Sequence, residues 1–398
     1  MPWSVLPRPG QQSRGRHAGF RSGSYVTVNV AFTQTWDLQR VKPSFFPLAV
    51  GVIFGRRQGA DAGPVSMPER SKVMAGRFDT QGATWAEAER TISILDTEQW
   101  STGQHSPYAD RFSAGATVFP RVLFLVEPDR APFGRVTGQR PVRSRRSPRE
   151  REPWRHLREL HGAVEEEFIL PLLLGESILP FRCLEPLEAV IPWDGQRLLG
   201  HGDALLGRHP GLADWWHKAE AAWIEHRRAR SQRLSLKQRL DYHRDLSHQF
   251  PVSQYRVVYS ASGTYLAAAT VTNPSAIIEH KLYWGAVASR DEARYLTAIL
   301  NSTVVTTAVG PMQARGEHNA RDFDKYVFQL PIPQYDPEDA AHARLVVLAE
   351  QAEYVACTTT LPDVRFERQR KYIRDALELD GVGTDINAVV KSLLDVGT

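Results

Sequence analysis

The chain has 398 residues, of which 42% are hydrophobic and 24% are charged, and its formal net charge is +4. These values are typical of a globular protein with two or three domains, and its aromatic content excludes a chain that is disordered throughout. The two cysteines, Cys183 and Cys357, are too few for a disulfide framework or a cysteine-rich zinc site. No apolar run is long enough to predict a membrane span, so we expect a cytoplasmic protein without a membrane partner.

The N-terminal part predicts a leader followed by two strands. Residues 1–23 are basic and rich in proline and glycine, and we expect a disordered or ragged leader, such as the start of a gene fragment. Within residues 24–83, an alternating pattern at 25–33 and an apolar run at 45–55 each predict a strand. Two strands alone are not stable, so we interpret them as edge strands of a sheet whose other strands are missing.

Residues 84–250 are interpreted as a connecting region that contains a long helix. Thr84 and Glu87 have the spacing of a capping box, which predicts a helix over 84–95. The pattern of the rest predicts a strand pair or a bent strand over 115–128, a short helix within 164–181, a strand over 188–193 and a long helical region over 213–246, with an apolar stripe of Trp216, Ala219 and Trp223.

Residues 135–158 form the strongest charge run of the sequence, with nine arginines and two acidic residues. One interpretation is a solvated loop that enters a helix at Pro148. The other is a surface that contacts the phosphates of a nucleic acid. Charge alone favours the solvated loop.

Residues 251–335 have the pattern of a β-rich domain, and residues 336–398 that of C-terminal helices. Three strands are predicted within 255–287, and a helix over 289–302 is predicted to begin at a Ser289 cap. The string KYVFQLPIP predicts a further strand. Two helices are then expected, over 336–356 and near 363–380.

The stretch between the 289–302 helix and KYVFQLPIP is rich in long hydrogen-bond donors, namely Gln313, Arg315, His318, Asn319, Arg321 and Lys325. Arginine, lysine, glutamine and asparagine match the paired donors and acceptors that guanine and adenine present in the major groove. The alternative is that Arg321 pairs locally with Asp322 while the other side chains are solvated. The residues alone leave both interpretations open.

Motifs for a self-contained enzyme are not evident in the sequence. The glycines of GHGDALLG (200–207) do not have the spacing of a phosphate-binding loop. His243 and His248 are five residues apart, which does not place them on one helix face as metal ligands, and there is no G-x-S-x-G string.

Four strings resemble, in their order, the C-terminal part of N-6 adenine DNA methyltransferases of type IIG-like restriction–modification and phage-defence systems. They are YRVVYSASGTYLAAATV, IIEHKLYWGAV, DEARYLTAILNS and GPMQARGEHNARDFDKYVFQLPIPQYDP. FFPLAVGVIFGRR is similar to the last strands of their methyltransferase domain, and the resemblance covers residues 20–395. It implies an α+β fold: the remnant edge of a Rossmann-like methyltransferase sheet, then a mixed helical and β-rich target-recognition domain.

In this family a glycine-rich turn binds S-adenosylmethionine, and an Asn/Asp-Pro-Pro-Tyr/Phe loop accepts the flipped adenine. Neither motif is present here, and Asn273-Pro274 is followed by Ser275 and Ala276. The resemblance therefore implies a chain that begins after the catalytic loop, binds no cofactor itself and is inactive alone. Double-stranded DNA is the expected partner, and a separate catalytic methyltransferase chain is a candidate second partner.

The resemblance favours base readout by the donor-rich loop and makes Arg143, Arg145 and Arg146 candidates for a DNA backbone clamp. Arg121 and Lys281 are further candidates. The alternative function is a protein-interaction or scaffold subunit of a larger complex with no direct base readout.

Overall fold

The structure is a computed structural model with a mixed α+β fold, which confirms the predicted class. Two compact units are present: a first unit of Met1–Ser106, Ser262–Thr264 and Thr307–Pro331, and a second unit of Pro107–Ala261, Tyr265–Thr306 and Ile332–Thr398. The residues described are 3–7, 22–25, 28–42, 50–59, 62–68, 72–77, 84–95, 106–130, 137–147, 150–227, 233–271, 273–310, 313 and 322–394.

The first unit contains a six-stranded sheet in the order β1-β4-β3-β5-β6, with β2 paired to β3. Its strands are β1 Trp3–Pro7, β2 Ser24–Tyr25, β3 Val28–Lys42, β4 Val50–Gln58, β5 Lys72–Arg77 and β6 Ile92–Leu95. A small core of Phe32, Ile53 and Met67 lies within this unit.

The two predicted N-terminal strands exist, but they lie inside the sheet and not at its edge. β4 pairs with β1 on one side and with β3 on the other, so residues 3–7 form a strand where a leader was predicted. Among the described pairs of this sheet only β3–β5 is parallel. A Rossmann-like sheet is mostly parallel, and the assignment of a methyltransferase remnant stays a prediction.

Helix α1 (Trp85–Thr91) confirms the start of the predicted 84–95 helix. The backbone N–H of Thr84 donates to Glu87 Oε2 at 2.7 Å, and Glu87 N–H donates to Thr84 Oγ1 at 3.4 Å, which is a capping box. The helix is shorter than predicted because the β-branched residues that follow pair with β5 as strand β6.

The second unit contains a six-stranded sheet, a four-stranded sheet and a hairpin, in the orders β10-β9-β8-β14-β11-β17, β16-β15-β18-β7 and β12-β13. Their strands are β7 Phe112–Ala114, β8 Leu125–Pro128, β9 Gln139–Ser144, β10 His161–Glu165, β11 Ile169–Leu173, β12 Ile178–Leu179, β13 Arg182–Cys183, β14 Leu187–Val190, β15 Arg256–Ser260, β16 Ala268–Thr270, β17 Ile277–Ile278 and β18 Leu282–Ala286. The three predicted strands of 255–287 and the strand near 188–193 are confirmed.

The short helix predicted within 164–181 is wrong. That segment forms the end of β10, then β11 and β12, with 3-10 turns at Glu166–Phe168 and Gly175–Ser177. A short continuous apolar run such as FILPLLL suits a buried strand as well as a buried helix, so its pattern could not decide. The run at 115–128 contains a 3-10 turn, Arg121–Leu123, before β8.

The remaining helices are α2 Pro210–His226, α3 Leu236–Leu240, α4 Arg290–Asn301, α5 Thr303–Val309, α6 Ala340–Thr358, α7 Phe366–Asp380 and α8 Val382–Leu394. The Ser289 cap of α4 is confirmed, because its side chain accepts from Glu292 N–H. The predicted helices at 336–356 and 363–380 are confirmed as α6 and α7, while α8 was not predicted. None of the helices in the described ranges is long and apolar enough to span a membrane.

Helix α2 supplies the centre of the main core of the second unit. Trp215, Trp216 and Trp223 are buried in a cluster with the inner faces of β8, β9 and β14, as the predicted stripe requires. The Glu165 carboxylate accepts from Gly211 N–H and Leu212 N–H at 2.9 and 2.7 Å, which caps the helix from a neighbouring strand. The predicted 213–246 helix is interrupted at Arg227, where the backbone becomes extended.

We expect Arg370 to fasten α7 to the hairpin, because its Nε donates to Ile178 O at 2.8 Å and its Nη2 donates to Gly175 O at 2.7 Å. Arg370→Met leaves both carbonyl groups without their donors and should lower the free energy of unfolding by about 2–4 kcal/mol. Urea titration followed by circular dichroism measures the change. Arg368→Met, at an exposed position of the same helix, should change stability by less than about 0.5 kcal/mol; equal effects would contradict the fastening role.

Candidate nucleic-acid interface

The arginine run 135–158 is built into the sheet of the second unit, contrary to the solvated-loop interpretation. Its described part contains β9 and a 3-10 turn at Trp154–His156. Val142 and Ser144 are buried, while the arginines between and after them are partly or fully exposed. Because Arg140 and Arg143 are three residues apart on β9, strand alternation directs them to opposite faces of the sheet, and Arg145 and Arg146 follow the strand.

The arginines on β9 are paired with carboxylates of neighbouring segments. Arg143 lies opposite Glu127 on β8, and its Nη2 is 2.6 Å from Glu127 Oε1 and its Nη1 3.6 Å from Glu159 Oε2. Arg140 Nη2 is 2.8 Å from Glu188 Oε1. Such cross-strand pairs stabilise the sheet modestly and also reduce the positive potential that a phosphate would meet.

Arg146 and Arg145, which follow β9, differ in their surroundings. Arg146 Nε is 3.4 Å from Glu159 Oε1, and its other nitrogens donate to the carbonyl groups of Trp154 and Leu157. Arg145 is exposed, and within the described ranges no carboxylate lies within ion-pair distance of its guanidinium. Of the three predicted clamp residues, Arg145 is therefore the one best placed to contact a phosphate.

Arg121 is 11% exposed and is engaged inside the second unit. Its Nη1 lies 2.7 Å from Glu176 Oε1 and its Nη2 3.4 Å from Glu279 Oε1. Lys281, two residues after Glu279, is exposed, and its side-chain stem packs beside Gly175. The geometry gives Arg121 a structural task, and it leaves Lys281 accessible.

Glu279 is the most deeply buried carboxylate of this group, at 1% exposure. Burial by itself raises the pKa of Glu279, but the contact with His280 and the positive charges of His280 and Arg121 outweigh it and hold the pKa below the ordinary glutamate value. The ionised form is also held by the backbone, since Lys281 N–H donates to Glu279 Oε2 at 3.1 Å.

The donor-rich loop is described only at its two ends. Gln313 is 4% exposed, so its amide does not face solvent, whereas Lys325 is exposed. Arg315, His318, Asn319 and Arg321 lie outside the described residues. The string predicted as a strand forms a 3-10 turn, Tyr326–Gln329, whose first three residues are buried. The loop is thus anchored by buried residues on both sides, at Val309 and after Lys325.

The two sets of candidate side chains belong to different units. Gln313 and Lys325 are in the first unit, whereas Arg121, Lys281 and the three arginines at 143–146 are in the second unit. All eleven candidates remain predictions as DNA contacts.

A cleft in the second unit was missed by the sequence analysis. We call it the cationic cleft; its volume is about 560 Å³ and it is lined by Trp193, Arg197, Lys237, Asp241, Arg244 and Phe250, among others. The rings of Trp193 and Phe250 stack with centroids 4.1 Å apart. The sequence offers no signal for it beyond charge, because its members come from two irregular segments, near 193–200 and 237–251.

Of the glycines in 200–207, Gly200 serves packing in the structure, whereas a Cβ at Gly202 or Gly207 would have nothing within 4 Å. A Cβ added at Gly200 would lie 2.8 Å from Lys237 Cδ, so the space beside this glycine is filled by the lysine stem. In a cofactor-binding turn the glycines instead let the ligand approach the backbone. At Gly200 it is the Lys237 stem that approaches the backbone.

The low pKa of Glu279 predicts an acid-sensitive contribution to stability. A carboxylate whose pKa is lower in the folded state stabilises the fold above its unfolded pKa, near 4.3, and this contribution is lost as the pH falls through the folded pKa. Glu279→Gln should therefore be less stable than wild type at neutral pH, with a difference that shrinks as the pH falls below about 4. Urea titrations across pH measure it, with exposed Glu185→Gln as the control. A constant difference at every pH would contradict the assignment.

No family model matches the chain, and no curated protein matches it. Among solved structures it is similar to the type IIL restriction-modification enzyme MmeI in complex with DNA, with a TM-score of 0.47, 11% identity, and coverage of 93% of this chain and 44% of that chain. It is also similar to the type IIG restriction endonuclease BpuSI, with a TM-score of 0.30, 11% identity, and coverage of 99% and 47%. The chain spans less than half the length of either structure.

Proposed function

We propose that the chain is the sequence-specific DNA-binding, target-recognition portion of an adenine-N-6 DNA methyltransferase of a restriction–modification or phage-defence system. The proposal rests on the order of the four strings that resemble this family. The observation that carries it is the donor-rich loop, which is anchored by buried residues at both ends and has Lys325 exposed at its margin. A loop held on a rigid framework can present side chains to a groove at a fixed register.

Affinity and sequence preference have separate sources in this proposal. Exposed cations such as Arg145 and Lys281 contact phosphates, which gives salt-dependent binding to any duplex. Arg315, Asn319 and Arg321 contact base edges, which gives preference for a sequence. Arg143 and Arg146 contribute less than their number in the sequence indicates, because carboxylates already partner them.

Methyl transfer is not assigned to these residues. The chain has no Asn-Pro-Pro-Tyr string, the glycines at 200–207 do not have the spacing of a phosphate-binding loop, and Gly200 lies against the Lys237 stem. We propose that S-adenosylmethionine is bound and the methyl group transferred by a catalytic part outside this sequence, such as a separate methyltransferase chain. Titration of labelled S-adenosylmethionine into the purified protein tests this, and tight binding would contradict it.

The second candidate is a protein-interaction or scaffold subunit without base readout. Exposed apolar side chains on the C-terminal helices favour it: Tyr354 on α6 is 70% exposed and Leu379 on α7 is 91% exposed. A gel shift with random-sequence duplex at low salt separates the two candidates. A shift supports the DNA-binding proposal, and its absence supports the scaffold.

If the loop reads bases, the double variant Arg315→Ala, Arg321→Ala should lose discrimination between sequences more than it loses binding to random duplex. Each lost bidentate base contact costs about 1–3 kcal/mol of discrimination, so the ratio of specific to nonspecific affinity should fall by about tenfold or more. Selection from a randomised duplex pool, followed by competition binding, measures the ratio. Arg344→Ala on α6 is the control, and an equal loss on all sequences would contradict a readout role.

A further inference from the structure

The charges that line the cationic cleft do not cancel. Arg197, Lys237 and Arg244 line it together with one carboxylate, that of Asp241, and Arg197 is also paired with Asp194 and Asp203. Asp241 Oδ1 accepts from Leu246 N–H at 3.2 Å and from Ser247 N–H at 2.8 Å, so this carboxylate is already bound by the backbone. The cleft therefore carries a positive excess that is set by the fold.

Two of the three cations have no acidic partner among the described residues. Lys237 is half-buried and Arg244 is exposed, and no carboxylate of the described chain lies within ion-pair distance of either. Arg197, in contrast, is shared with Asp203, whose Oδ1 is 2.9 Å from its Nη2. Lys237 and Arg244 are thus available to an anion.

Local structure holds these two side chains in place. The capping box of Ser235 and Gln238 begins α3 and fixes Lys237 in the first turn, over Gly200. Arg244 and the preceding His243 have φ of 64° and 57°, in the left-handed region that non-glycine residues adopt at a cost. Strained backbone of this kind persists where the surrounding structure imposes it.

We infer that the cationic cleft is a binding site for the phosphodiester backbone of duplex DNA, with Lys237 and Arg244 as its phosphate contacts. The inference rests on the proposed function and adds a site that is independent of the donor-rich loop. The cleft is open, because Gly195, Arg197, Arg244 and Pro251 on its walls are exposed. A closed pocket buries most of a small ligand, whereas an open cleft suits a long polyanion that passes across it.

The test compares wild type with the double variant Lys237→Gln, Arg244→Gln, by fluorescence anisotropy of a labelled random-sequence duplex over a potassium chloride series. Each neutralised phosphate contributes a slope of about −0.9 to log K against log salt, so the variant should lose about two units of slope. At 0.1 M salt this slope corresponds to about eightfold per contact, so the loss of two contacts should lower its affinity by on the order of 60-fold. Lys371→Gln, Lys391→Gln, with the same charge change on α7 and α8, should leave the slope unchanged.

A charge-retaining variant, Lys237→Arg, Arg244→Lys, should keep the wild-type slope, which separates lost charge from lost folding. If the salt slope and duplex affinity of the cleft variant equal those of the α7/α8 control, the inference is overturned. Duplex binding by wild type in the same experiment still supports the proposed function. No binding by wild type overturns both. Titration of dAMP, followed by tryptophan fluorescence, should give no saturable binding; saturation together with unchanged duplex affinity in the cleft variant would overturn the inference in favour of a small phosphate ligand.

Discussion

The second unit depends on the neutralisation of one buried charge, the carboxylate of Glu279. The segment of Ala116 and Arg121, distant in sequence, meets it: Arg121 Nη2 lies 3.4 Å from Glu279 Oε1, and the backbone of Ala116 bridges to Glu279 itself. The adjacent His280 Nδ1 lies 3.0 Å from Glu279 Oε1. Arg121 in turn binds Glu176, which joins the turn before the β12-β13 hairpin to the same cluster. Removing one partner of such a cluster leaves a desolvated charge uncompensated, which is costly in a low-dielectric interior. The arrangement of the two sheets of this unit is therefore tied to charge balance as well as to apolar packing.

The same balance decides where positive charge is available at the surface. The run at 135–158 has an excess of arginine in sequence, yet β8, β14 and the segment before β10 supply carboxylates to Arg140, Arg143 and Arg146. In the cationic cleft the relation is reversed, because Asp241 binds backbone amides and, among the described residues, no carboxylate lies within ion-pair distance of Lys237 or Arg244. A count of charges along a sequence is thus a poor guide to the electrostatic potential at the surface, because that potential depends on which carboxylates the fold brings next to which cationic side chains.

The sequence predicted elements whose signals are local. Ser289 with Glu292, and Thr84 with Glu87, specify helix starts within four residues, and both starts are confirmed. The prediction was wrong where secondary structure depends on residues distant in sequence. The apolar run within 164–181 forms strands because β14 and β17 pair with β11. The candidate interface likewise combines features that local sequence shows with features that depend on distant residues. The composition of the donor-rich loop is visible in sequence, whereas the ion pairs of β9 and the stacking of Trp193 on Phe250 join residues that no spacing rule connects.

The pairing of β7 with β18 has a consequence for how the protein is made. Phe112 lies beside Gly285, and the rim of the Phe112 ring occupies the space that a side chain at this glycine would take. Strand β18 emerges from the ribosome long after β7. The apolar residues of β7 therefore have no partner strand until the greater part of the chain has been translated. Closure over so long a loop is slow and exposes unpaired strand edges in the interval. Nascent chains halted before Gly285 should therefore be substrates for chaperones that shield such edges.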